Sequence, residues 1–353
     1  MNIFDPIPQY RTLSVMPTFQ CSAECKHCGT LSNPRDKTRL SIEKIYSTID
    51  QANDNGYKVV VFTGGEATLA GKDLLLAIER AANLELFVRL VTNAHWAISD
   101  TKAKRYIDDL VKAGLTEINF STGDQHTRFV PLSNVIRAAY AAARAELSVA
   151  IMVESVYERT ITKETVENHP EFKRILVDFP ARKIKVHESP WMPLSPYDIS
   201  EYSEGIAVNQ SNLATRSGCD SILTTTTIQA DGKIGACCGL GMRLIPEIQL
   251  GTVYETELVE ADRAAANDFL KQWIRVEGPE HILAWASTHD PDFKWEDMYA
   301  HRCQACIRLY KDPKVRKVIF EHHKEKMAEE MYGKWLISNY SSDAQNSKNA
   351  ETF

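Results

Sequence analysis

Six short apolar segments alternate with amphipathic segments in the first half of the 353-residue chain, and this alternation constrains the fold more than any other feature. Residues 58–62 are almost wholly apolar, which is typical of a strand buried on both faces of a parallel sheet. Residues 41–55 carry isoleucines at helical spacing after a serine that can cap a helix. The repeat predicts an α/β fold with a parallel sheet, open or curled toward a barrel. Strands are predicted at residues 13–19, 58–62, 86–91, 117–120, 148–153 and 183–187, and helices at 41–55, 72–82, 101–113, 132–145 and 163–177.

Polar residues follow each predicted strand, at the point where the strand ends. The carboxyl ends of parallel strands meet at one edge of a sheet, where the chemistry of α/β proteins is usually found. Each residue alone is more often a solvated or capping group than a ligand, but together they predict one polar site. They are Cys21, Cys25 and Cys28 after the first strand, Gly64, Gly65 and Glu66 after the second, Asn93 after the third, Ser121 and His126 after the fourth, Glu154 after the fifth, and His187 and Glu188 at the sixth.

The three cysteines have the spacing CxxxCxxC, so their thiolates can converge on one face of a tight loop. A cubane iron–sulfur cluster is normally closed by four thiolates. Three ligands leave one metal position open for a reacting molecule, as in catalytic zinc sites. The alternative is a structural zinc site with a fourth ligand nearby, for which His27 is the candidate.

Composition and charge exclude several classes of protein. The formal net charge is -6, whereas nucleic-acid-binding domains are usually clearly basic. The sequence contains no apolar run long enough to span a membrane, and its N-terminal stretch lacks the apolar region of a secretory signal. The grouping of the eight cysteines is typical of metal ligands in a reducing compartment. We therefore expect a cytoplasmic protein with no nucleic-acid or membrane partner.

The order and spacing of these motifs resemble those of the radical S-adenosylmethionine (SAM) enzymes over about residues 13–190. The resemblance implies a partial (β/α)6 barrel like an incomplete TIM barrel, with a [4Fe–4S] cluster whose open iron chelates SAM. One electron from the cluster would then split SAM into methionine and a 5′-deoxyadenosyl radical that abstracts a substrate hydrogen. Ala67 replaces the proline that is usual in this family, and His27 stands where an aromatic residue is more common.

The resemblance also implies roles for the residues at the strand ends. The three cysteines would hold the cluster, and the 64–66 turn would meet the methionine amine of SAM. Other polar residues would contact the ribose or the carboxylate of SAM, or line the site by virtue of their position at a strand end. The implied cofactor-binding residues are Gly64, Gly65, Glu66, Asn93, Ser121, Glu154 and His187, and the implied cluster ligands are Cys21, Cys25 and Cys28.

A proline-rich segment at residues 190–196 predicts a domain boundary near residue 195. We expect a barrel domain over 1–195, a smaller domain over 196–340 and a disordered polar tail over 341–353. In the second domain, an Asp-Gly turn at 231–232 predicts a hairpin that brings the 237–238 cysteine pair back toward Cys219. A CxxC pair at 303–306 is expected just before a long C-terminal helix.

Four of these cysteines are enough to close a second metal site, and both zinc and a [4Fe–4S] cluster suit four thiolates. The arrangement resembles the SPASM or shorter twitch domains that carry auxiliary clusters, which favours one auxiliary [4Fe–4S] cluster. The expected ligands are Cys219, Cys237, Cys303 and Cys306.

Cys238 is left over, because adjacent residues of a strand point to opposite faces and both members of the pair cannot easily bind one cluster. It is either a small buried apolar residue or a thiol presented to the substrate. The motifs also resemble those of peptide epimerases of the YydG/EpeE type, except that Gly123 stands where those proteins have an acidic residue. That resemblance implies that Cys237 is a ligand and that Cys238 returns a hydrogen atom to a Cα radical, converting an L-residue into a D-residue.

The leading hypothesis is therefore a radical SAM epimerase of a ribosomally made precursor peptide, reduced by a flavodoxin- or ferredoxin-type electron donor. The nearest alternative is a radical SAM enzyme that makes a thioether or carbon–carbon crosslink in a peptide, followed by a radical enzyme acting on a small molecule. The non-enzyme alternative is a zinc-stabilised α/β binding protein.

Overall fold

A single nine-stranded sheet organises the protein in the computed structural model, which describes residues 11–182, 184–198, 200–202 and 204–337. The strand order is β6-β5-β4-β3-β2-β1-β7-β8-β9. The strands are β1 Thr12–Val15, β2 Val59–Phe62, β3 Phe87–Thr92, β4 Glu117–Gly123, β5 Ser148–Ser155, β6 Ile184–Pro190, β7 Thr225–Ile228, β8 Lys233–Gly235 and β9 Gln249–Thr252. The helices are α1 Ile42–Asp54, α2 Lys72–Asn83, α3 Asp100–Lys112, α4 Leu132–Arg144, α5 Lys163–Asn168, α6 Pro170–Asp178, α7 Leu258–Ala266, α8 Phe269–Val276, α9 Pro279–His289, α10 Arg302–Lys311 and α11 Pro313–His322.

Strands β1 to β6 lie side by side in chain order, and every neighbouring pair is parallel. Helices connect each strand to the next, as the alternation in the sequence predicts. The sheet is not closed, because β6 ends the order on one side and β1 has β7 as its other neighbour. The predicted α/β fold with a partial barrel is therefore confirmed.

One face of the parallel sheet is covered by helices, and the other is open and polar. In β4, Ile118 and Phe120 are fully buried, whereas Asn119 and Ser121 are half-buried. The same alternation occurs in β2, so the expectation that 58–62 is buried on both faces is wrong.

The predicted helix over 163–177 is two helices. Pro170 is the first residue of α6 and has no backbone N–H to donate to a preceding turn, so α5 ends at Asn168. The His169 side chain caps α6 by accepting a hydrogen bond from the backbone N–H of Glu171 at 3.3 Å.

The sheet continues from the first half of the chain into the second. Strand β7 pairs in parallel with β1, with Thr225 opposite Thr12 and Ile228 opposite Val15. Strand β8 then returns antiparallel around the predicted Asp231–Gly232 turn, and β9, which the sequence pattern did not predict, pairs with β8. The sheet thus continues past residue 195, and so does the first large cluster of buried apolar side chains, which includes Ile228, Ile234 and Leu258. A second large cluster lies almost wholly beyond residue 195.

Helices α7 to α11 build the second cluster of buried side chains around Trp273, which is fully buried. The CxxC pair lies inside the first turns of α10, not ahead of the helix as predicted, because His301 caps α10 by accepting from the backbone N–H of Cys303 at 3.1 Å. Within the described residues, no helix combines the length and the apolar character that a membrane span requires. The predicted disordered tail, 341–353, lies outside the described residues.

Candidate functional site

The loop after β1 carries Cys21, Cys25 and Cys28. The three thiols lie near enough to one another to influence the pKa values of Cys21 and Cys25, which agrees with the prediction that they lie together. Burial raises the pKa of the Cys21 and Cys25 thiols to about 12, and the neighbouring thiols of the loop add to the shift. Each sulfur has only weak partners: the Cys21 Sγ accepts from the backbone N–H of Ala23 at 3.4 Å, and the Cys28 Sγ lies 3.3 Å from Thr30 Oγ1. A cation bound among these sulfurs would reverse the shift by stabilising the thiolates.

The glycines after β2 let this turn lie directly against the cysteine loop. The backbone N–H of Gly65 donates to Thr18 O at 3.0 Å, and that of Glu66 donates to Gln20 O at 2.8 Å. A Cβ atom at Gly65 would lie 2.2 Å from Gln20 O, and one at Gly64, whose φ is +115°, would lie 2.8 Å from Thr18 O. No other residue fits either position without moving the loop.

Glu66 joins the ends of β2 and β3. It is buried, and its two oxygens accept four hydrogen bonds: from the Thr68 backbone at 3.2 Å, the Thr68 hydroxyl at 2.6 Å, the Thr92 hydroxyl at 2.7 Å and the Asn93 backbone at 2.8 Å. A carboxylate has about four acceptor positions, so these donors use most of its capacity. The geometry gives Glu66 a positioning role; a contact with an amine of SAM stays a prediction.

Asn93 and Ser121 are also expected near SAM, and they lie in different environments. The Asn93 Nδ2 donates to Ser22 Oγ at 3.0 Å and approaches the Cys21 Sγ at 3.8 Å, so its side chain holds the start of the cysteine loop. Ser121 is half-buried on the inner face of β4. Its contact with SAM stays a prediction.

The sequence pattern placed Glu154 at a strand end, and the structure pairs it with a residue of the preceding strand-end loop. The Glu154 Oε2 lies 2.6 Å from His126 Nδ1, and its Oε1 accepts from the backbone N–H groups of Gln125 and His126. Cys25 lies close enough for the Glu154 charge to raise the pKa of its thiol. Gly123 makes room for this carboxylate, because a Cβ there would lie 2.2 Å from it.

His126 is the site residue that sequence analysis noted at a strand end but did not assign to the cofactor site. Its ring meets that of Trp191 edge-on, with ring centroids 5.9 Å apart. The Trp191 Nε1 donates to the backbone O of Lys26, between the second and third cysteines, at 2.9 Å. The ends of β4, β5 and β6 therefore all reach the cysteine loop.

His187 lies on the inner face of β6, in register with Met152 and Ser121 on the neighbouring strands. His187 is exposed, and so is Met152 across from it, so this part of the inner face is open. Glu188 points away from the open face, since it pairs with Arg159 at 3.2 Å. The structure thus does not bring His187 to the cysteine loop.

The second cysteine set lines a cavity of about 440 Å³ between the β7–β8 hairpin and α10. Burial and the neighbouring thiols raise the pKa of Cys303 to about 12 and raise the pKa values of Cys237 and Cys306 well above the ordinary thiol value. Gly239 lies between two of the sulfurs: a Cβ there would be 3.1 Å from the Cys303 Sγ and 3.5 Å from the Cys237 Sγ. The absent side chain leaves space among the sulfurs. The cysteines that line the cavity are Cys219, Cys237, Cys238, Cys303 and Cys306.

Cys237 and Cys238 face different surroundings. Burial raises the pKa of both the Cys306 and the Cys303 thiol; Cys237, which is itself buried, adds to the shift of Cys306, and Cys238 adds to that of Cys303. Cys238 is exposed at the cavity wall, where Ser221 contacts it twice: the Cys238 backbone N–H donates to Ser221 Oγ at 3.1 Å, and Oγ lies 3.2 Å from the Cys238 Sγ. Both cysteines lie beyond β8, which ends at Gly235, and both line the cavity, so their division into a ligand and a free thiol stays a prediction.

The spacing of the sulfurs distinguishes between zinc and an iron–sulfur cluster. Zinc with Zn–S bonds of about 2.3 Å holds tetrahedral thiolates about 3.8 Å apart. All eight cysteines lie in the described part of the chain, and neither set places three of its sulfurs within 4.8 Å of one another. In addition, the hydroxyl of Tyr310, one turn after Cys306 on α10, is buried without a hydrogen-bond partner among the described residues and is free to donate to a cluster sulfur. Both sets fit the larger cubane better than zinc.

The two cysteine sites are joined by direct contacts. The backbone N–H of Gly241, three residues after Cys238, donates to Gly29 O at 2.7 Å, one residue after Cys28. Arg243 Nη1 donates to Thr30 O at 2.6 Å. The loop that follows Cys237 and Cys238 therefore packs on the loop that carries the first three cysteines.

The matched family defines the class of the first half of the chain. Residues 15–172 match the family model of the Radical SAM superfamily, so this part of the chain is a radical SAM domain. Domains of this class bind SAM and a [4Fe–4S] cluster, and the loop with three cysteines and a free fourth position fits such a cluster. The resemblance read from the sequence is confirmed.

Parts of the chain are similar to two curated proteins. The chain is 29% identical over 126 residues to the putative peptide biosynthesis protein YydG of Bacillus subtilis (strain 168), which is 35% of this chain and 40% of that protein. It is 30% identical over 189 residues to the probable GTP 3′,8-cyclase of Methanopyrus kandleri, which is 51% of this chain and 57% of that protein. The chain thus spans about half the length of these relatives.

Two solved structures have the same fold. The structure of native anSMEcpe with bound AdoMet and Cp18Cys peptide gives a TM-score of 0.50 at 14% identity and covers 88% of this chain and 99% of that chain. Streptococcus suis SuiB bound to the precursor peptide SuiA gives a TM-score of 0.54 at 16% identity and covers 75% of this chain and 66% of that chain. At these identities the likeness concerns the fold alone.

Proposed function

We propose that the protein is a radical SAM enzyme that modifies a ribosomally made precursor peptide by converting an L-residue into a D-residue. The observation that carries the proposal is the division of labour between two adjacent cysteines. Cys237 is buried among the thiols of the second site, whereas Cys238 is exposed and held by Ser221. Cys238 borders the thiols of the second site and yet has exposed surface at the cavity wall, as a thiol offered to a substrate would.

The first site supplies the radical. With cluster and SAM bound, it would supply a 5′-deoxyadenosyl radical able to take a hydrogen atom from the Cα of the substrate. The chain's own part is to hold and orient these groups: Glu66 fixes the turn after β2, Asn93 fixes the cysteine loop, and Glu154 with His126 fixes the loop after β4. We assign cluster binding to Cys21, Cys25 and Cys28, and SAM contacts to Gly64, Gly65, Glu66, Asn93, Ser121, Glu154 and His187.

Cys238 completes the proposed reaction. Its S–H bond breaks, and the hydrogen atom bonds to the Cα radical from the face opposite abstraction, which inverts the configuration. When the Ser221 hydroxyl donates to the Cys238 Sγ, the thiol hydrogen stays free for the substrate. The sulfur is left as a thiyl radical and needs one electron and one proton. We assign the proton to solvent, to which Cys238 is exposed, and the electron to a flavodoxin- or ferredoxin-type donor.

The position of Cys238 agrees with this role. Burial raises the pKa of the Cys238 thiol, and the hydroxyls of Ser221 and Thr225 lie near enough to reduce that shift. Thr225 is paired with Thr12 of β1 and so shares the inner face of the sheet with Ser14 and Ser121. Cys238 therefore borders the same face on which a substrate between the two cysteine sites would lie.

The second site would hold one auxiliary [4Fe–4S] cluster on Cys219, Cys237, Cys303 and Cys306. Its buried location next to Cys238 suits the delivery of an electron to the sulfur after hydrogen transfer. Two comparisons support a peptide substrate: one relative is described as a putative peptide biosynthesis protein, and SuiB, which has the same fold, was solved with a precursor peptide. Metal-binding thiols of this number also suit the reducing cytoplasm.

The test is co-expression with each short open reading frame beside the gene, in deuterated water, followed by mass spectrometry of the peptides. We expect one deuterium at Cα for each modified residue and no other mass change. Cys238→Ala should abolish the product but keep both clusters and the formation of 5′-deoxyadenosine, whereas the control Cys28→Ala should abolish both. Chiral amino-acid analysis then identifies the D-residue.

A different outcome identifies each alternative. A loss of two hydrogens that persists in Cys238→Ala would replace epimerisation by crosslinking. Formation of 5′-deoxyadenosine with no peptide altered in any co-expression would favour a small-molecule substrate. A colourless protein that carries zinc at both cysteine sets after anaerobic purification would rule out a radical enzyme.

A further inference from the structure

Two histidines and a glutamate meet on the helical part of the chain, in contacts that the proposed reaction does not use. His289 is the last residue of α9, His322 is the last residue of α11, and Glu325 lies in the 3-10 turn that follows. One ligand atom from each lies within 4.8 Å of the others. Glu325 reaches both rings, with Oε2 3.4 Å from His289 Nε2 and Oε1 2.9 Å from His322 Nδ1.

A stack of aromatic rings packs against His289 on its buried side. The fully buried Trp273 meets Trp285 at 4.8 Å, Trp285 meets His289 at 4.7 Å, and His289 stacks on His322 at 4.2 Å between ring centroids. The His289 side chain is only 20% exposed, whereas the Glu325 side chain is 53% exposed. The set is thus anchored on the protein side and open on the solvent side.

We propose that His289, His322 and Glu325 bind one divalent transition-metal ion of the Zn²⁺ class and so clasp α9 to α11. Two imidazoles and a carboxylate are a favourable ligand set for zinc, with metal–ligand bonds of about 2.0–2.2 Å. Tetrahedral ligands at such bond lengths are about 3.4 Å apart. The two distances that involve Glu325, 3.4 Å and 2.9 Å, are near this value and join one ring to each of its oxygens, so the carboxylate lies between the two imidazoles.

A simple ion pair explains the arrangement less well. Each unprotonated imidazole ring offers one nitrogen lone pair as a metal ligand. If both rings were protonated, two like charges would stack face to face with a single carboxylate to offset them. A divalent cation supplies the missing positive charge and uses the lone pairs of both rings.

The ligand chemistry separates this site from the cysteine sites. Nitrogen and oxygen ligands suit zinc and its neighbours in the first transition row, whereas thiolates suit iron–sulfur clusters. Because the clasp joins the ends of two helices next to residues 327–337, metal binding should stabilise the helical part of the chain without changing either cluster.

The test uses the cluster-loaded enzyme, purified anaerobically, washed with a mild chelator and dialysed against Zn²⁺. Metal analysis should find one zinc per wild-type chain, at unchanged iron content. His289→Ala and His322→Ala should bind none. The matched control is His323→Ala, because the His323 Nδ1 already faces the backbone O of Ile319 and Phe320 and lies outside the set; it should keep its zinc.

The unfolding temperature gives an independent readout. Added Zn²⁺ should raise it in the wild type and in His323→Ala, but not in Glu325→Gln, a surface change that leaves the aromatic stack intact and so serves even if a histidine variant fails to fold. Wild-type enzyme that binds no zinc, or equal zinc in wild type and Glu325→Gln, would overturn the proposal. Neither readout depends on the substrate or on epimerisation.

Discussion

At Gly123, the absence of a side chain allows the Glu154 carboxylate to reach the loop that borders Cys25. A Cβ would lie 2.2 Å from the carboxylate, and φ is +130°, a backbone conformation that residues with a side chain rarely adopt. The sequence marked Gly123 only as a departure from a family pattern. In the structure it is the residue that makes the contact between β5 and the cysteine loop possible.

We predict that Gly123→Ala lowers the free energy of unfolding by about 3 kcal/mol and weakens SAM binding, because the new methyl group displaces Glu154. Gly205→Ala is the matched control, since Gly205 also has a positive φ, +77°, but nothing within 4 Å of its would-be Cβ. That control should lose about 1 kcal/mol by backbone strain alone. Equal losses in both variants, measured by chemical denaturation, would mean that the Glu154 contact is unimportant.

Gly239 has a similar role at the second site, but without a positive φ. Its would-be Cβ lies against the Cys303 and Cys237 sulfurs, so Gly239→Ala removes space for a cluster without straining the backbone. We expect iron to fall from about eight to about four atoms per chain while the first cluster remains. Iron and sulfide analysis measures this, and an unchanged eight irons would contradict the assignment of the second site.

At the scale of secondary-structure elements, the helical segment 327–337 buries a carboxylate against α8. Glu330 is almost fully buried near Glu277, which accepts hydrogen bonds from Trp273 at 2.8 Å and from Lys326 at 2.8 Å. Burial and the charge of Glu277 raise the pKa of Glu330 to about 9. The native protein therefore holds Glu330 protonated at neutral pH, while the unfolded chain ionises it above its ordinary pKa of 4.5.

This shift predicts how stability depends on pH. Because the folded-state pKa is raised, the contribution of Glu330 is fully present below pH 4.5 and is lost as the pH rises toward 9. Glu330→Gln removes the ionisation and should stabilise the protein by about 2 kcal/mol at pH 8, with little effect at pH 4. Denaturation at both pH values checks this, and Glu255→Gln, at an exposed glutamate away from this network, is the control.

The same scale explains the position of the CxxC pair. The sequence pattern places the pair ahead of a helix. In the structure, His301 caps the helix by accepting a hydrogen bond from the Cys303 backbone N–H, so α10 begins at Arg302, before the pair. As a result Cys303 and Cys306 lie three residues apart on one helix, where residues with this spacing share a face. The helix itself therefore directs both sulfurs into the cavity.

At the scale of the whole molecule, the two cysteine sites are connected by the pairing of β7 with β1 and by Arg243. Strand β7 continues the sheet from β1, and the Arg243 guanidinium lies 3.4 Å from the ring centroid of Phe19 while donating to Thr30 O. Burial lowers the pKa of Arg243, which shows how far its side chain is withdrawn from solvent. These contacts set the distance from Cys238 to the first cysteine loop.

We predict that Arg243→Met loosens both loops together. Hydrogen exchange at 20–31 and at 238–243 should accelerate in parallel, because one side chain holds the two segments against each other. Arg216→Met is the control: Arg216 donates to the backbone O of Ile206, away from the first site. Acceleration confined to one of the two segments would show that the loops are independent.

Much of this protein follows from its sequence alone. Strand and helix periodicity is a local property, so the first eleven elements were predicted to within a few residues, apart from the early end of β1 and the break at Pro170. The three-cysteine loop and the Gly64–Gly65–Glu66 turn were recognisable because short spacings restrict which side chains can converge.

Other features were decided only by the tertiary structure. Glu154 and His126 are 28 residues apart, Ser221 and Cys238 are 17 apart, and β1 pairs with a strand more than 200 residues away. A local pattern shows that a strand edge or a buried carboxylate needs partners, because unpaired polar groups are costly to bury. It does not show which distant group supplies them, since that depends on how all the elements pack at once.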